Sequence, residues 1–354
     1  MIPFGYDAPG GRVVFGPGTL ARLPGELDAL GAERVLLLAG DRHAAAVRAL
    51  LGDRVAGHFP AVVQHVPEAA AAEARALAAS VGPDALLAVG GGSAIGFAKA
   101  VALAYTAPIV AVPTTYSGSE MTTIWGLSDG GTNRTGNDPR VKPQLVVYDP
   151  ELTLGLPPRV AGPSGMNALA HCVEGLYGPR ANPILSLLAL EGIRVLHRSL
   201  PAVCATPGDL DARSDALYGA YLGGNALGAG TGLHHRTCHV LGGMFGLDHG
   251  DMNAVVLGHA LAYNAPAIPE ALARIECALG TGDAPGALFD LAATVEAPAS
   301  LAAMGMPAAG LDEATARVVA EAAGNVRPPE PEGIRKMLDD AFTGRRPAAV
   351  PIHR

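Results

Sequence analysis

The chain has 354 residues, a formal net charge of −8 and 49% hydrophobic residues. That length fills two domains or one large one around a full core, and with only 16% of residues charged an extended, disordered chain is excluded. The acidic balance argues against a sequence-independent grip on nucleic acid, which needs a basic face.

The cysteines (Cys172, Cys204, Cys238 and Cys277) lack CxxC spacing, which predicts a reduced, cytoplasmic protein without disulfides. The N-terminus has neither a basic start nor an apolar h-region, so no signal peptide is expected. No apolar run reaches membrane-spanning length, so no membrane partner is expected either.

In chain order, Arg12–Phe15 predicts a strand closed by Gly16-Pro17-Gly18, and a helix follows over 20–30. Residues 34–39 read as a buried strand ending at Gly40-Asp41, then a helix over 44–51 and a strand over 61–66. A helix over 69–80, a buried strand over 84–89, a helix over 94–105 and a strand over 108–112 complete the series. Continuous apolar strands alternating with helices predict a parallel sheet covered on both faces. Beyond Asp149-Pro150 the strand signals stop. Residues 160–345 read as successive amphipathic helices, broken at Asn182-Pro183, Thr206-Pro207-Gly208 and Gly280-Thr281-Gly282. The predicted division is an α/β domain over 1–155 and an all-helical domain over 156–354, and a cleft between two such halves commonly takes a small molecule.

Gly90-Gly91-Gly92-Ser93 stands between a strand and a helix. Glycines there allow close backbone approach, and a helix start offers free N–H groups to an anion, so Gly91, Gly92 and Ser93 are candidate pyrophosphate contacts. The spacing is not GxGxxG, so the turn is not a standard dinucleotide fingerprint, and a tight strand-to-helix turn would look the same. Asp41 could accept a ribose hydroxyl or be an exposed loop aspartate. Pro113–Thr122 is rich in hydroxyls at a strand end; Thr114, Thr115 and Ser119 could meet phosphate or sugar, or cap a helix.

Of 11 histidines, five lie within 234–259. His235 and His239 share a helix face, as do Asn167 and His171. His249 follows an apolar loop, Gly242–Asp248. Imidazoles converging from two helices suit zinc or ferrous iron, and a histidine can also donate a proton near neutral pH. His43, His58, His65, His197 and His353 are left as structural or exposed.

Four blocks carry a family resemblance: 90–100 (GGGSAIGFAKA), 113–122 (PTTYSGSEMT), 164–177 (SGMNALAHCVEGLY), and 234–243 with 259–266 (HHRTCHVLGG and HALAYNAP). In that order, the chain resembles the iron-containing alcohol dehydrogenase superfamily, most closely its maleylacetate reductase branch. The resemblance implies a dehydroquinate synthase-like fold, with an α/β N-terminal nucleotide-binding domain and an all-helical C-terminal domain. It implies NADH or NADPH on the GGGS turn and the threonine-serine loop. Matched to the motifs, the Fe²⁺ or Zn²⁺ ligand positions of the superfamily fall on Asn167, His171, His235 and His249. The proton-transfer histidine falls on His239. The branch reduces maleylacetate to 3-oxoadipate in aromatic breakdown, and its members are commonly homodimers.

The chain departs from the pattern at three places. Asn167 replaces the acidic ligand of the metal-dependent dehydrogenases, as in the branch itself, and an amide oxygen binds a divalent cation more weakly than a carboxylate. Asn253 stands where the branch usually has a second histidine. Asn133-Arg134 stand where a lysine and a threonine are expected, and a guanidinium at Arg134 could grip a carboxylate bidentately.

The expected reaction is hydride transfer from nicotinamide to an electron-poor C=C conjugated with a ketone. His239 or His235, or a metal, would meet the charge developing on the carbonyl, and Arg236 and Arg134 would meet the substrate's carboxylates. Two alternatives stay open: a metal-dependent alcohol or aldehyde dehydrogenase of the same fold, and a repurposed non-redox homologue in a specialised biosynthetic pathway.

Overall fold

The structure, a computed structural model, describes residues 11–129 and 132–347, the side chains of 132 and 133 excepted. His353, residues 1–10 and the Asn133 side chain therefore lie outside the described residues. The chain divides into two compact units, one ending at Leu156 and the other starting at Pro157.

In the first unit, β1 (Arg12–Phe15), α1 (Leu23–Leu30), β2 (Val35–Leu38), α2 (Asp41–Leu51), β3 (Val55–Phe59), α3 (Glu68–Val81), β4 (Ala85–Gly90), α4 (Gly92–Ala102) and β5 (Ile109–Pro113) follow in turn. An antiparallel pair, β6 (Ile124–Asp129) and β7 (Thr132–Asn137), precedes β8 (Leu145–Tyr148). The main sheet has the order β1-β8-β5-β4-β2-β3, and each of its pairings is parallel. Its central strands are apolar on both faces because helices cover both. One face buries Leu37, Leu87, Val110 and Val147 against Leu23, Leu27, Ala44 and Val47 of α1 and α2. The chain steps from β2 to β3 in one direction and from β4 to β5 in the other, so the strand order reverses between β2 and β4. The crevice outside the carboxyl ends of two such strands is where open α/β sheets bind ligands.

Two expectations in this unit need correction. The third strand is Val55–Phe59 rather than 61–66. Pro60 has no N–H for a ladder, and His65 and Val66 take φ of 64° and 47°, outside the strand region. Asp41 is the first residue of α2 rather than a loop residue. The strand β8 and the β6/β7 pair carry weak signals, because β8 is four residues long and β6/β7 is half polar and largely exposed.

The second unit is helical: α5 (Pro158–Gly175), α6 (Pro183–Ala205), α7 (Leu210–Ala226), α8 (Leu233–Phe245), α9 (His249–Asn264), α10 (Pro269–Leu279), α11 (Ala284–Thr294), α12 (Leu311–Glu321) and α13 (Pro331–Thr343). The breaks fall where turn chemistry puts them. Asn182 Oδ1 accepts from the N–H groups of Ile184 and Leu185 (both 3.1 Å) to open α6, and Asp209 caps α7 in the same way. The helix α5 is buried almost all round, as expected of a central helix. Gly165 admits the close approach of α6: a Cβ there would lie 2.1 Å from Leu200 Cδ2. The apolar loop expected over 242–248 is mostly helix, since α8 continues to Phe245 and stops at Gly246 with φ 65°. Met244 and Phe245 pack on the core formed by α8, α9, α12 and α13, which outweighs the poor helix propensity of Gly242-Gly243. Among the described residues no helix is long and apolar enough to cross a membrane.

Candidate active site

In the sheet unit, three candidate segments share the carboxyl edge. Asp41 is exposed in the first turn of α2, just beyond β2, which pairs beside β4 (Leu38 opposite Ala88). Its neighbour Arg42 donates from Nη2 to the Gly155 carbonyl (3.1 Å). The glycine turn links β4 to α4. Gly90 has φ 153°, and a Cβ there would lie 2.9 Å from the Ala94 Cβ, so only glycine fits without strain. Gly91 is the N-cap of α4, and a Cβ on it would meet Thr115 Cγ2 at 2.9 Å and Oγ1 at 3.0 Å. A Cβ on Gly92 would lie 3.4 Å from Ser117 Oγ. The hydroxyl loop after β5 therefore closes directly on the turn after β4. Ser93 is half-buried in the first turn of α4, whose leading N–H groups have no intrahelical partner.

The other hydroxyl candidates sit deeper. Thr114 is buried, and its N–H donates to the Gly90 carbonyl (2.9 Å). Ser119 opens a short 3₁₀ turn, and its carbonyl accepts from Lys99 Nζ (2.7 Å). Arg134 stands exposed on β7, paired in register with Leu127.

In the helical unit, α5 carries Asn167, His171 and Glu174 at i, i+4 and i+7, one stripe of a helix face. The helix α8 carries His234, His235 and His239, and α9 begins at His249, capped by Asp248. The His171 and His235 rings stack with centroids 4.8 Å apart, and those of His239 and His249 lie 6.5 Å apart. His235 Nδ1 lies 2.6 Å from Glu174 Oε2, both groups buried, while the other carboxylate oxygen accepts the His234 N–H (2.9 Å). With Glu174 ionised, Nδ1 carries the proton and the Nε2 lone pair is left over. That atom, and Nδ1 of His171, are buried with no hydrogen-bond partner among the described residues. His234 Nε2 donates to the Asn253 carbonyl (3.1 Å), and Asn253 Nδ2 to the His249 carbonyl (2.6 Å). Asn253 thus ties the start of α9 to α8.

Burial pushes His171 and His235 well below the usual imidazole pKa, and their neighbouring histidines push further. Burial and then His235 lower His234 to about 3. These rings are neutral, the state that ligates a cation. His239 is exposed; the surrounding protein and then Arg236, also exposed, lower its pKa. Burial raises Glu174, while His234 and the backbone N–H groups around it pull the other way.

Two buried imidazole nitrogens without donors, one on a ring held by a carboxylate, are costly unless something electrophilic meets them. The residues fit a divalent cation such as Fe²⁺ or Zn²⁺, with the neutral Asn167 as the weakest member of the set. Glu174 was not among the sequence candidates. Its signal was its place three residues beyond His171 on the same helical stripe. Lys99, Glu120 and Tyr148, described below, carried no such signal.

The model of the iron-containing alcohol dehydrogenase family matches residues 10–150, and that of the C-terminal part of the Fe-containing alcohol dehydrogenase family matches residues 162–342. The chain is 48% identical to a maleylacetate reductase of Burkholderia cepacia over 352 residues, 98% of this chain and 100% of that protein. It is 50% identical to maleylacetate reductase 2 of Cupriavidus pinatubonensis, over 95% and 96% of the two chains. The crystal structure of a maleylacetate reductase from Agrobacterium tumefaciens superposes with a TM-score of 0.94 at 42% identity, covering 98% of this chain and 100% of that one. The glycine turn, the hydroxyl loop and the histidine-bearing helices all lie within these matches, and the chain belongs to the iron-containing alcohol dehydrogenase family, in its maleylacetate reductase branch.

Proposed function

We propose that this chain reduces maleylacetate to 3-oxoadipate with NADH or NADPH. The observation that carries the reading is the likeness, over 98% of this chain, to a protein named maleylacetate reductase. The reduced nicotinamide, when bound, supplies the hydride to the C=C conjugated with the ketone. The glycine turn and α4 N–H groups hold the pyrophosphate, Thr115 and Ser117 line it, and Asp41 takes the ribose. Negative charge gathers on the conjugated carbonyl, and His239, solvent-open on α8, supplies the proton that completes the reduction. Arg236, three residues before His239 on the same helix face, takes one substrate carboxylate, and Arg134 is the second candidate cation.

A second reading, an alcohol or aldehyde dehydrogenase that depends on a bound metal, is favoured by one observation: the unpartnered buried nitrogens of His171 and His235. His171, His235, His249 and the Asn167 amide would hold such an ion, and it would polarise a carbonyl oxygen. An NADH-oxidation assay tests both, with maleylacetate beside a panel of aldehydes, with chelator and with added Fe²⁺ or Zn²⁺. Rapid oxidation with maleylacetate and little with the aldehydes is expected. Metal-dependent aldehyde reduction with maleylacetate inert would overturn the first reading in favour of the second.

A further inference from the structure

Lys99 sits in the third turn of α4 and is almost wholly buried, 1% exposed. A lysine in that position needs a reason. Its ammonium lies among four oxygens: the Ser119 carbonyl (2.7 Å), the Thr122 carbonyl (3.0 Å) and Oγ1 (2.9 Å), and the Ile124 carbonyl (2.7 Å). All are used as acceptors, so the set favours the three-proton ammonium over the amine. Burial, partly offset by Glu120, lowers its pKa to about 7.

Glu120 is itself fully buried between two of those oxygens in sequence. Its Oε1 accepts from Tyr148 on β8 (2.8 Å), and Ser117 Oγ donates to its Oε2 (3.4 Å). The 117–124 segment is thus fastened from α4 by Lys99 and from β8 through Tyr148 and Glu120. The same loop carries Thr115 and Ser117, the two side chains that rest on Gly91 and Gly92. Lys99 grows from the helix that the glycines start.

We infer that Lys99 is a positioning residue of the nucleotide site: from inside α4 it draws the 119–124 backbone inward and so holds the hydroxyl loop over the glycine turn. The inference rests on the reading of that turn as the pyrophosphate seat. A lysine serving only the stability of the unit would move the melting temperature and leave NADH affinity alone.

The test is a fluorescence titration of NADH against the full-length wild type, Lys99→Met and Thr122→Val, with steady-state kinetics and far-UV circular dichroism. Lys99→Met keeps the side-chain length and removes the charge; Thr122→Val removes one of the ammonium's acceptors together with that hydroxyl's own bond to the Ser119 carbonyl. In folded Lys99→Met the NADH Kd and KM are expected to rise at least about tenfold, with kcat at saturating NADH within about twofold. Thr122→Val is expected to shift Kd in the same direction by a smaller factor. Unchanged Kd in folded Lys99→Met, or, should that variant not fold, unchanged Kd in Thr122→Val with a lowered melting temperature, overturns the inference alone. A wild type that leaves NADH unbound at millimolar concentration overturns the nucleotide reading and this one with it.

Discussion

The Glu174 carboxylate and His235 Nδ1 lie 2.6 Å apart, wholly inside the helical unit, on helices whose contacting residues are 61 positions apart in sequence. The contact sets the tautomer of His235 and aims the lone pair of Nε2 away from the carboxylate. Replacing Glu174 by Gln keeps the shape but offers an amide N–H as well as an oxygen, so the ring can turn its proton to Nε2. Glu174→Gln is expected to weaken Zn²⁺ or Co²⁺ uptake by about 10- to 100-fold, read by direct metal titration. Metal uptake equal to wild type would mean that Glu174 does not orient His235 for a metal.

His239 is exposed and one helical turn from His235. His239→Ala is expected to cut kcat by roughly 10²–10⁴-fold, the usual worth of a positioned proton donor, while the NADH Kd stays at the wild-type value. Stopped-flow turnover beside NADH fluorescence makes the comparison. Undiminished turnover would remove His239 from the proton step.

Arg42 is committed to the Gly155 carbonyl, and a Cβ at Gly155 would collide with its guanidinium. Asp41 stands exposed beside it at the β2 end. With the neighbouring guanidinium engaged by Gly155, the Asp41 carboxylate repels a 2′-phosphate, so NADH is expected to be preferred over NADPH. Asp41→Ala should raise kcat/KM for NADPH by about tenfold or more, since like charges brought together cost on the order of a few kcal/mol. A wild-type preference for NADPH would contradict the assignment.

Gly91 and Thr115 are coupled by contact. Gly91→Ala forces Thr115 off its position and should weaken NADH binding several-fold. Adding Thr115→Ala removes the colliding methyl, so the double variant should bind about as well as Thr115→Ala alone. The cycle is scored by Kd, and strictly additive effects would mean the two residues do not meet.

Glu26 on α1 accepts from Arg12 on the edge strand β1 (Nη2 to Oε1, 2.9 Å). That hydrogen bond holds the Glu26 carboxyl below its usual value. A depressed folded pKa stabilises above the unfolded pKa and is lost as pH falls through the folded one. Glu26→Gln should therefore melt below wild type at pH 7, with the gap closing as pH drops below the ordinary glutamate range. A gap that holds constant into acid would mean the ion pair adds nothing.

The sequence by itself determined the two-part plan, because periodicity reports which faces are buried. The apolar runs read at 34–39 and 84–89 required cover on both sides, and the caps Asn182 and Gly280 marked helix ends with local chemistry alone. The glycine turn, the hydroxyl loop and the histidine blocks were legible for the same reason, as short motifs whose residue types state their chemistry. What only the tertiary structure decided is who meets whom. Thr115 on Gly91, Glu174 on His235, and Lys99 beneath Ser119 and Ile124 are pairs set by the packing of separate elements. Propensity and spacing act along the chain over a few residues, whereas these contacts are closed by the burial of whole helices and sheets, so no local signal could assign them.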